Sequence, residues 1–285
     1  MNSFEKNISF IIVCFNSGDV IKDCIKSIGP NNKIVIVDNL GNIQTKKYLE
    51  NKFLNVEVII SKENLGYGKG NNLGISKIKT RYAFILNPDT ILEKNCLSEL
   101  SKAQSILKDN FTILAPNFSN NYGYFLKKNV NTEAEILDVD YIKGFAFLID
   151  LEKMNSKKIF DENFFLFLEE IDLCKKIKNN GEKIYVIKSS KIYHFGKKAS
   201  GNSLSIELCR HWHWMWSFFY YNKKHFGYFQ SLVKILPKLV YSTLKFILYI
   251  FLLNKKKCLI YFFRIFGILN AILNKSSWYR PKIDL

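Results

Sequence analysis

The sequence lacks the patterns that mark several well-known protein classes. Its six cysteines form neither a CxxC pair nor any other paired spacing. This argues against a disulfide framework and a cysteine zinc site, and it predicts buried, reduced thiols of a cytosolic protein. The apolar run at residues 8–14 is too short for a signal peptide, so none is expected. The sequence also contains no internal repeat and no low-complexity tract.

Acidic residues are few relative to basic ones. The chain has 42 Lys and Arg against 25 Asp and Glu, a formal charge of +17. From Gly201 onward there are 13 basic and two acidic residues, a net charge of +11, which leaves +6 for the rest. An anionic membrane surface, nucleic acid or a phosphorylated ligand suits such a balance. Any basic binding surface is therefore predicted to lie in the C-terminal third.

Short apolar segments alternate with helical patterns near the start of the chain. Strands are predicted at 8–14, 33–38, 56–60 and 82–86, and a helix at 19–28. Near-continuous apolar strands separated by helices are typical of a parallel sheet covered on both faces. The predicted class is therefore α/β, with a mostly parallel sheet flanked by helices. Its ligands should bind at the edge formed by the carboxyl ends of the strands.

The pattern continues to about residue 203. Gly144 is expected to kink one strand, and Gly181 is expected to end one helix. The predicted elements are helices at 95–108 and 164–181, strands at 111–116, 140–150 and 183–187, a loop or peripheral hairpin at 117–138, and a loop at 191–203.

The residues after 205 are basic, aromatic and helical in pattern, with helical segments at 236–253 and 258–273. Charged residues (Lys238, Lys245 and Arg264) interrupt both segments, which fall short of the ~20 apolar residues that a bilayer crossing needs. We expect amphipathic helices that lie in a membrane interface. The alternative is a helical subdomain packed on the sheet. The predicted domains are 1–204 and 205–285.

Polar residues follow several of the predicted strands. Asn16, Asp38 and Asp89 would share the carboxyl edge of the sheet with the loop at 64–72. Asp38 taken alone is more typical of a cap on the next turn. Asp89, with Asn87 two residues before it, offers the oxygen ligands that Mg²⁺ and Mn²⁺ prefer, with substrate oxygens and water completing the shell.

Glycine and asparagine are concentrated in the predicted loop. Glycines let a backbone approach a phosphate or ribose, and amides supply neutral donors. The spacing matches neither the dinucleotide-binding fingerprint nor a Walker loop, so glycine content alone is weak evidence. The segment contains Asn64, Gly66, Gly68, Gly70, Asn71, Asn72 and Gly74.

Three acids stand together in the helix predicted at 164–181. Glu169 and Asp172 share one helical face, and Glu170 points about 100° away. Such acids commonly complement the helix dipole, but a carboxylate beside buried aromatic rings also suits general-base chemistry. His194 is the only histidine in the first 200 residues. A lone histidine is more often structural than a ligand.

In this order, the motifs resemble glycosyltransferase family 2, in particular the rhamnosyltransferase-like group of bacterial surface-polysaccharide synthesis, which includes O-antigen and capsule. The resemblance covers residues 8–203. It rests on IIVCFNS, IVIVDN, NLGYGKGNNLGI, LNPDT, FFLFLEEIDLC followed by NNG, and YHFGKKAS. It implies a GT-A fold, a Rossmann-like α/β domain that binds a nucleotide-diphospho-sugar and a divalent metal.

The resemblance also implies roles for individual residues. Asp89 and His194 would bind the metal, Asp38 would contact the nucleobase, and Glu170 would be the catalytic base. The family most often has Asp at the position of Glu170. This leaves open whether Glu169 or Glu170 is the base, and whether Asp172 is an acceptor contact or a cap. The remaining donor-binding residues would be Asn16, Asn64, Gly66, Asn71, Asn72 and Asn87.

The activity implied is inverting, metal-dependent sugar transfer with Mn²⁺ or Mg²⁺. The donor would be similar to dTDP-rhamnose, and the acceptor would be a hydroxyl of a lipid-linked oligosaccharide or polysaccharide. We expect a cytoplasmic protein, peripheral on the inner face of the cell membrane at its anionic surface. A UDP-hexose or UDP-N-acetylhexosamine donor is the alternative within the family. A non-catalytic scaffold and a nucleic-acid-binding protein are alternatives from other classes, and the lack of a nucleic-acid-binding motif disfavours the second.

Overall fold

The computed structural model describes residues 3–118, 125–126, 133–154, 156, 158–196 and 203–281. They form two compact units. The first contains the described residues up to Asp161 and from Glu169 to Gly196. The second contains Glu162–Leu168 and the described residues from Ser203 onward. The segment 162–168 thus packs with the C-terminal helices, which the sequence does not predict.

The elements alternate between strand and helix along the first unit, and the second unit is helical. The strands are β1 Ile8–Cys14, β2 Ile34–Asp38, β3 Val56–Ile60, β4 Tyr82–Leu86, β5 Thr90–Leu92, β6 Ile113–Phe118, β7 Phe125–Leu126, β8 Ile136–Tyr141, β9 Ala146–Asp150 and β10 Ile184–His194. The helices are α1 Ser3–Lys6, α2 Val20–Ile28, α3 Ile43–Lys52, α4 Tyr67–Ile75, α5 Cys96–Leu107, α6 Glu169–Asn179, α7 Leu204–Phe226, α8 Tyr228–Phe251 and α9 Lys255–Ile272. A single 3₁₀ turn follows β9 at Leu151–Lys153.

The strands form one sheet in the order β3-β2-β1-β4-β9-β6-β10-β8-β7, with β5 paired to β10. The first four strands are parallel, as are β6 and β10. β9 runs antiparallel to both of its neighbours. It follows β8 after residues 142–145 but does not pair with it, because β9 lies between β4 and β6. The predicted α/β class is confirmed, and β9 is an antiparallel strand within it.

Both faces of the sheet are covered by apolar side chains. In β1, Phe10 and Ile12 lie in one buried cluster and Ile11 lies in the other. In β4, Phe84 and Ile85 divide in the same way. Successive side chains of a strand point to opposite faces, so a run with no polar alternation is buried on both sides. This confirms the interpretation of the apolar segments.

Several predicted bounds differ from the structure. The strand predicted at 140–150 is two strands, β8 and β9, because the chain turns around Gly144. The helix predicted from 164 begins at Glu169, since the backbone at 167 and 168 is left-handed. β10 continues past the predicted 187 to His194. The loop predicted at 191–203 is wrong for residues 191–194, which belong to β10. Residues 197–202 of that loop, and most of the loop or hairpin predicted at 117–138, lie outside the described residues.

The second unit packs three helices around a small core formed by Trp212, Met215, Phe219, Ile235 and Ile268. α8 begins earlier than the predicted 236 and contains Pro237. None of the helices among the described residues is both long and apolar enough to cross a membrane. All six cysteines are free thiols; five are buried and Cys258 is half-buried, as predicted.

Candidate active site

A proline turn ends β4 and presents Asp89. The backbone N–H of Asn87 donates to the Phe145 carbonyl at 2.8 Å, and the N–H of Thr90 donates to the Asn87 carbonyl at 3.2 Å. Pro88 stands between these two bonds and has no N–H to donate. Asp89 is 1% exposed. Asn87 and Pro88 therefore shape the turn, and Asp89 carries the charge.

The pairing of β10 with β5 brings His194 to Asp89. His194 lies opposite Thr90 in the antiparallel register, and the N–H of Phe195 donates to the Asp89 carbonyl at 3.0 Å. His194 Nε2 is 3.2 Å from Asp89 Oδ1. The imidazole stacks on the Phe145 ring with centroids 4.1 Å apart and planes 7° from parallel. The two residues predicted to bind metal are thus neighbours, although they are remote in sequence.

This pair suits a divalent cation. Two ligands at adjacent octahedral positions, each about 2.1 Å from the ion, are separated by about 3 Å, close to the 3.2 Å between His194 Nε2 and Asp89 Oδ1. Within the described residues, no group of three or more His, Cys, Asp or Glu is placed to hold a metal. A cation here would need further ligands from substrate oxygens and water, as is common for Mg²⁺.

The turn between β8 and β9 connects this pair to the acidic residues. A Cβ added to Gly144 would lie 3.2 Å from both Cβ and Cγ of Glu170, so Glu170 packs directly on the glycine backbone. The Tyr67 hydroxyl donates to the Gly144 carbonyl. Phe145, the next residue, stacks on His194. A single peptide unit therefore supports both Glu170 and the imidazole.

The other two acids lie on the buried face of α6. Glu169 and Asp172 are each 4% exposed, whereas Glu170 is half-buried. This is the helical phase that the sequence predicts. Burial, with a smaller contribution from the charge of Glu170, raises the pKa of Glu169 well above its usual value. The Oε2 atom of Glu169 has no hydrogen-bond partner among the described residues.

The backbone leading into these acids is strained. Phe167 and Leu168 have φ angles of 72° and 69°, in the left-handed region. This conformation costs an L-residue about 1–2 kcal/mol. Apolar periodicity alone predicts a helix through this segment, so tertiary contacts override the local preference.

The edge of β2 carries the residues predicted to meet the nucleoside. Asp38 is 3% exposed, and its carboxylate accepts from the N–H of Leu40 at 2.9 Å and of Asn42 at 3.0 Å. It therefore has the capping role that its sequence position favours. The Cys14 thiol also donates to Oδ1, at 3.9 Å, so Oδ2 is the oxygen that keeps a second lone pair for a ligand. Asn16, after β1, is exposed with φ of 55°.

The glycine-rich segment is mostly helical, which corrects the predicted loop at 64–72. Gly66, with φ of 77°, precedes α4. Its N–H donates to Asn64 Oδ1 at 3.1 Å. Cβ atoms added to Gly70 and Gly74 would lie 2.9 Å from Val13 Cγ1 and 2.5 Å from Ile11 Cγ2. These glycines let α4 pack closely on β1.

The predicted amides of α4 are buried and hydrogen-bonded within the fold. Asn72 Nδ2 donates to the Phe160 carbonyl at 2.9 Å, and its Oδ1 accepts from the Phe160 N–H at 3.0 Å. Asn71 Nδ2 donates to the Tyr67 carbonyl at 3.0 Å, while its Oδ1 has no hydrogen-bond partner among the described residues. Asn72 thus holds the 160 region against α4. A ligand contact of either amide stays a prediction.

Four residues near the site were missed by the sequence interpretation: Asn39, Tyr67, Gly144 and Phe145. Asn39 Nδ2 donates to the Gly66 carbonyl at 3.1 Å, and its Oδ1 accepts from the N–H of Leu65 at 3.3 Å. It therefore connects the edge of β2 to the start of α4. Asn39 directly follows Asp38 in the IVIVDN motif, which was the one available indication of its role.

Comparisons with known proteins identify the family of this chain. The sequence model of Glycosyl transferase family 2 matches residues 9–174. The low-salt glycan biosynthesis hexosyltransferase Agl10 of Haloferax volcanii is 24% identical over 199 residues, which cover 62% of this chain and 64% of that protein. The rhamnosyltransferase WbbL of Escherichia coli strain K12 is 22% identical over 250 residues, covering 76% of this chain and 93% of that protein. The match to the Haloferax protein therefore covers slightly less than two thirds of its length.

The fold is shared with glycosyltransferases of known structure. One is the mannosyltransferase PcManGT of Pyrobaculum calidifontis, solved in complex with GDP-Man and Mn²⁺. The TM-score is 0.56 at 11% identity, and the match covers 95% of this chain and 88% of that one. The predicted GT-A fold is thereby confirmed.

Proposed function

This chain belongs to Glycosyl transferase family 2, and on that premise we propose that it transfers a sugar from a nucleotide-diphospho-sugar to an acceptor hydroxyl, with inversion. The observation that carries the proposal is the joining of Asp89 and His194, 3.2 Å apart, by the β10–β5 pairing at the carboxyl end of β4. This is the edge at which open α/β sheets bind ligands.

Asp89 and His194 would hold Mn²⁺ or Mg²⁺, which supplies positive charge against the departing diphosphate. Asp38 and the backbone around Asn64 and Gly66 would contact the nucleoside. The relative from E. coli supports a donor similar to dTDP-rhamnose, because it is named a rhamnosyltransferase. The acceptor would be a lipid-linked oligosaccharide or polysaccharide.

Glu170 is the better candidate for the base. Burial raises the pKa of Glu169 and so disfavours the charged carboxylate that a general base needs. Glu170 is half-buried and rests on the Gly144 backbone, next to the residue that supports His194. A carboxylate there would take the proton of the acceptor hydroxyl as that oxygen attacks the anomeric carbon. Asp172, on the buried face beside Glu169, would help to fix the start of α6.

The second unit supports a membrane location for this enzyme. Apolar residues recur every three or four positions along α8 and are 45–81% exposed: Phe229, Val233, Leu236, Val240, Leu244, Ile247 and Phe251. We refer to these seven residues as the α8 stripe. In the sequence, lysines occur within or shortly after this stretch, at 234, 238, 245 and 255–257. We assign the α8 stripe to an anionic lipid surface because the residues from Gly201 onward carry a net charge of +11. Insertion of apolar side chains and attraction to the headgroups both strengthen binding to such a surface.

Calorimetric titration of the protein with dTDP, UDP and GDP, each with Mn²⁺ or Mg²⁺, tests the donor site. We expect metal-dependent binding that is tightest for dTDP and falls at least tenfold in Asp89→Asn. Asp23→Asn, a change on the surface of α2, serves as the control and should bind like the wild type. Equal affinity of wild type and Asp89→Asn would remove Asp89 from the site. Absence of nucleotide binding under all conditions would contradict the proposed function.

A further inference from the structure

The peptide that joins Gly144 to Phe145 lies in the turn between β8 and β9, and hydrogen bonds hold the carbonyls of both residues. The Phe145 carbonyl accepts the N–H of Asn87 at 2.8 Å, a main-chain bond that does not depend on side-chain identity. The Gly144 carbonyl accepts the hydroxyl of Tyr67. This second carbonyl belongs to the joining peptide, so the orientation of that peptide depends on a side chain of α4.

Tyr67 is itself fixed at the start of α4. Its ring meets the Phe160 ring edge to face, with 6.1 Å between centroids and 76° between planes. Phe160 is held in turn by Asn72, which bonds to both its N–H and its carbonyl. A Cβ added to Gly68 would lie 3.1 Å from Phe160 Cβ and 3.7 Å from Glu169 Cβ. The first turn of α4 therefore packs on the start of α6 and presents the Tyr67 hydroxyl from a defined position.

Two acids neighbour the Tyr67 hydroxyl. Burial, and then the nearby carboxyls of Glu169 and Glu170, raise the pKa of Tyr67 well above its usual value. The hydroxyl therefore keeps its proton at neutral pH and acts as a hydrogen-bond donor. Its bond to the Gly144 carbonyl is consequently a support that ionisation of Tyr67 does not remove in this pH range.

The peptide that Tyr67 holds contacts both halves of the proposed centre. A Cβ added to Gly144 would lie 3.2 Å from Cβ and Cγ of Glu170 and 3.4 Å from its Cδ, so the Glu170 side chain rests along this backbone. At the next residue, the Phe145 ring stacks on His194. Interiors packed this closely transmit a displacement to their neighbours. A rotation of the peptide would therefore move the carboxylate and the imidazole together.

We propose that Tyr67 is a positioning residue for both the base and the metal ligand, because its hydroxyl fixes the one peptide that supports Glu170 and His194. The inference rests on the proposed function for the roles of these two residues. All of its contacts lie within the α/β unit. Its particular consequence is that loss of a single hydroxyl should weaken metal binding and slow sugar transfer at the same time.

Hydrogen exchange of the purified full chain tests the structural part without requiring activity. In Tyr67→Phe we expect the amides of residues 143–147 to exchange at least threefold faster than in the wild type, since one hydrogen bond is worth roughly two- to tenfold in a local equilibrium. Tyr82→Phe is the matched control and should exchange like the wild type there. Tyr82 is 3% exposed in the same unit, and its hydroxyl donates to Asp109 Oδ1 at 3.1 Å. Unchanged exchange at 143–147 in Tyr67→Phe would overturn the proposal.

Binding of Mn²⁺, alone and with dTDP, tests the link to His194. The free ion can be counted by electron paramagnetic resonance, so the measurement does not require sugar transfer. We expect the Kd for Mn²⁺ to rise at least threefold in Tyr67→Phe, because the imidazole loses part of its support. Tyr82→Phe should keep the wild-type Kd. Equal Mn²⁺ affinity in Tyr67→Phe and the wild type would overturn the role of Tyr67 in placing the metal ligand.

Steady-state kinetics at saturating Mn²⁺ test the link to Glu170. Misplacement of a catalytic group by about 1 Å can cost on the order of 10²-fold in rate, so we expect kcat to fall about tenfold in Tyr67→Phe, with the donor KM within twofold. In the Glu170→Gln background, the same substitution should change kcat less than twofold, since a residue that acts through Glu170 then has no base left to position. An equal loss of kcat in both backgrounds would overturn this link.

Failure of this inference is distinguishable from failure of the proposed function. A wild-type protein that binds no Mn²⁺ and transfers no sugar contradicts the proposed function, whereas the exchange experiment still decides whether Tyr67 holds the turn. Faster exchange in Tyr67→Phe with normal Mn²⁺ affinity and normal kcat would make Tyr67 a purely structural residue and overturn its positioning role.

Discussion

The two units differ in how completely they bury their apolar side chains. The α/β unit covers both faces of its sheet with its own side chains and concentrates buried carboxylates, Asp38, Asp89 and Glu169 among them, at strand ends and a helix start. The helical unit has a small core and leaves the α8 stripe exposed. Burial of apolar surface is the main driving force of folding, and in the second unit that burial is incomplete. The first unit is thus suited to polar chemistry, and the second to an apolar partner.

The largest effect should come from the acid on Gly144. Glu170→Gln removes the proposed base while keeping its shape, and general-base catalysis typically contributes 10²–10⁴-fold in rate. We expect kcat for sugar transfer to fall within that range, with nucleotide and liposome binding unchanged. Glu57→Gln, a change on an exposed part of β3, is the control. If the kcat of Glu170→Gln equals that of the wild type, Glu170 is not the catalytic base and another residue must accept the proton.

A change in the α8 stripe should act on the second unit alone. Leu236→Asp with Leu244→Asp removes two side chains whose burial is worth about 1.5–3 kcal/mol each. We expect binding to liposomes containing anionic lipid to fall by about 10²-fold or more, with activity on a water-soluble acceptor retained. Leu54→Asp is the control, since Leu54 is 98% exposed in the first unit. If the stripe variant and the control sediment alike with liposomes, the stripe does not bind lipid.

The smallest effect concerns stability and pH in the first unit. The carboxyl of Glu169 has a raised pKa in the folded state, so the folded protein favours its protonated form. Its cost to stability is absent below the ordinary pKa near 4.5 and grows as pH rises toward the raised value. Over that window the slope approaches about 1.4 kcal/mol per pH unit. The neighbouring side chains of Glu170 and Tyr67 are also ionisable and interact with Glu169.

Urea denaturation between pH 5 and pH 8 measures this slope. Glu169→Gln should be less sensitive to pH than the wild type and more stable at pH 8, whereas Glu57→Gln should keep the wild-type slope. Parallel curves for Glu169→Gln and the wild type would mean that Glu169 ionises freely in the folded protein.

Local pattern predicts the strands of the first unit well. β1, β3 and β4 have the predicted bounds because each is a short apolar segment ended by a polar or turn-forming residue. The same reasoning places Asp38 and Asp89 at one edge. It cannot place His194 beside Asp89, since that contact depends on the pairing of β10 with β5, which lies outside any local rule. Only the family resemblance indicated the pair.

Two local predictions were wrong for tertiary reasons. The glycines of 64–74 favour a loop by composition, yet Gly70 and Gly74 lie within α4, because they pack it against Val13 and Ile11 of β1. The apolar residues before Glu169 favour an earlier helix start. The contacts of Leu166 and Phe167 with α7 override that preference. In both cases the deciding partner is remote in sequence.

The turn between β8 and β9 has a consequence for how this site can vary. Gly144 supports Glu170, and Phe145 supports His194. Adjacent Cα atoms are held about 3.8 Å apart by covalent bonds, so these two supports cannot drift apart when the surrounding core is repacked. Substitutions that seek a new donor specificity could therefore be made at other residues around the candidate site, while Gly144 and Phe145 are kept. An insertion between residues 144 and 145 would change the distance between the supports of Glu170 and His194.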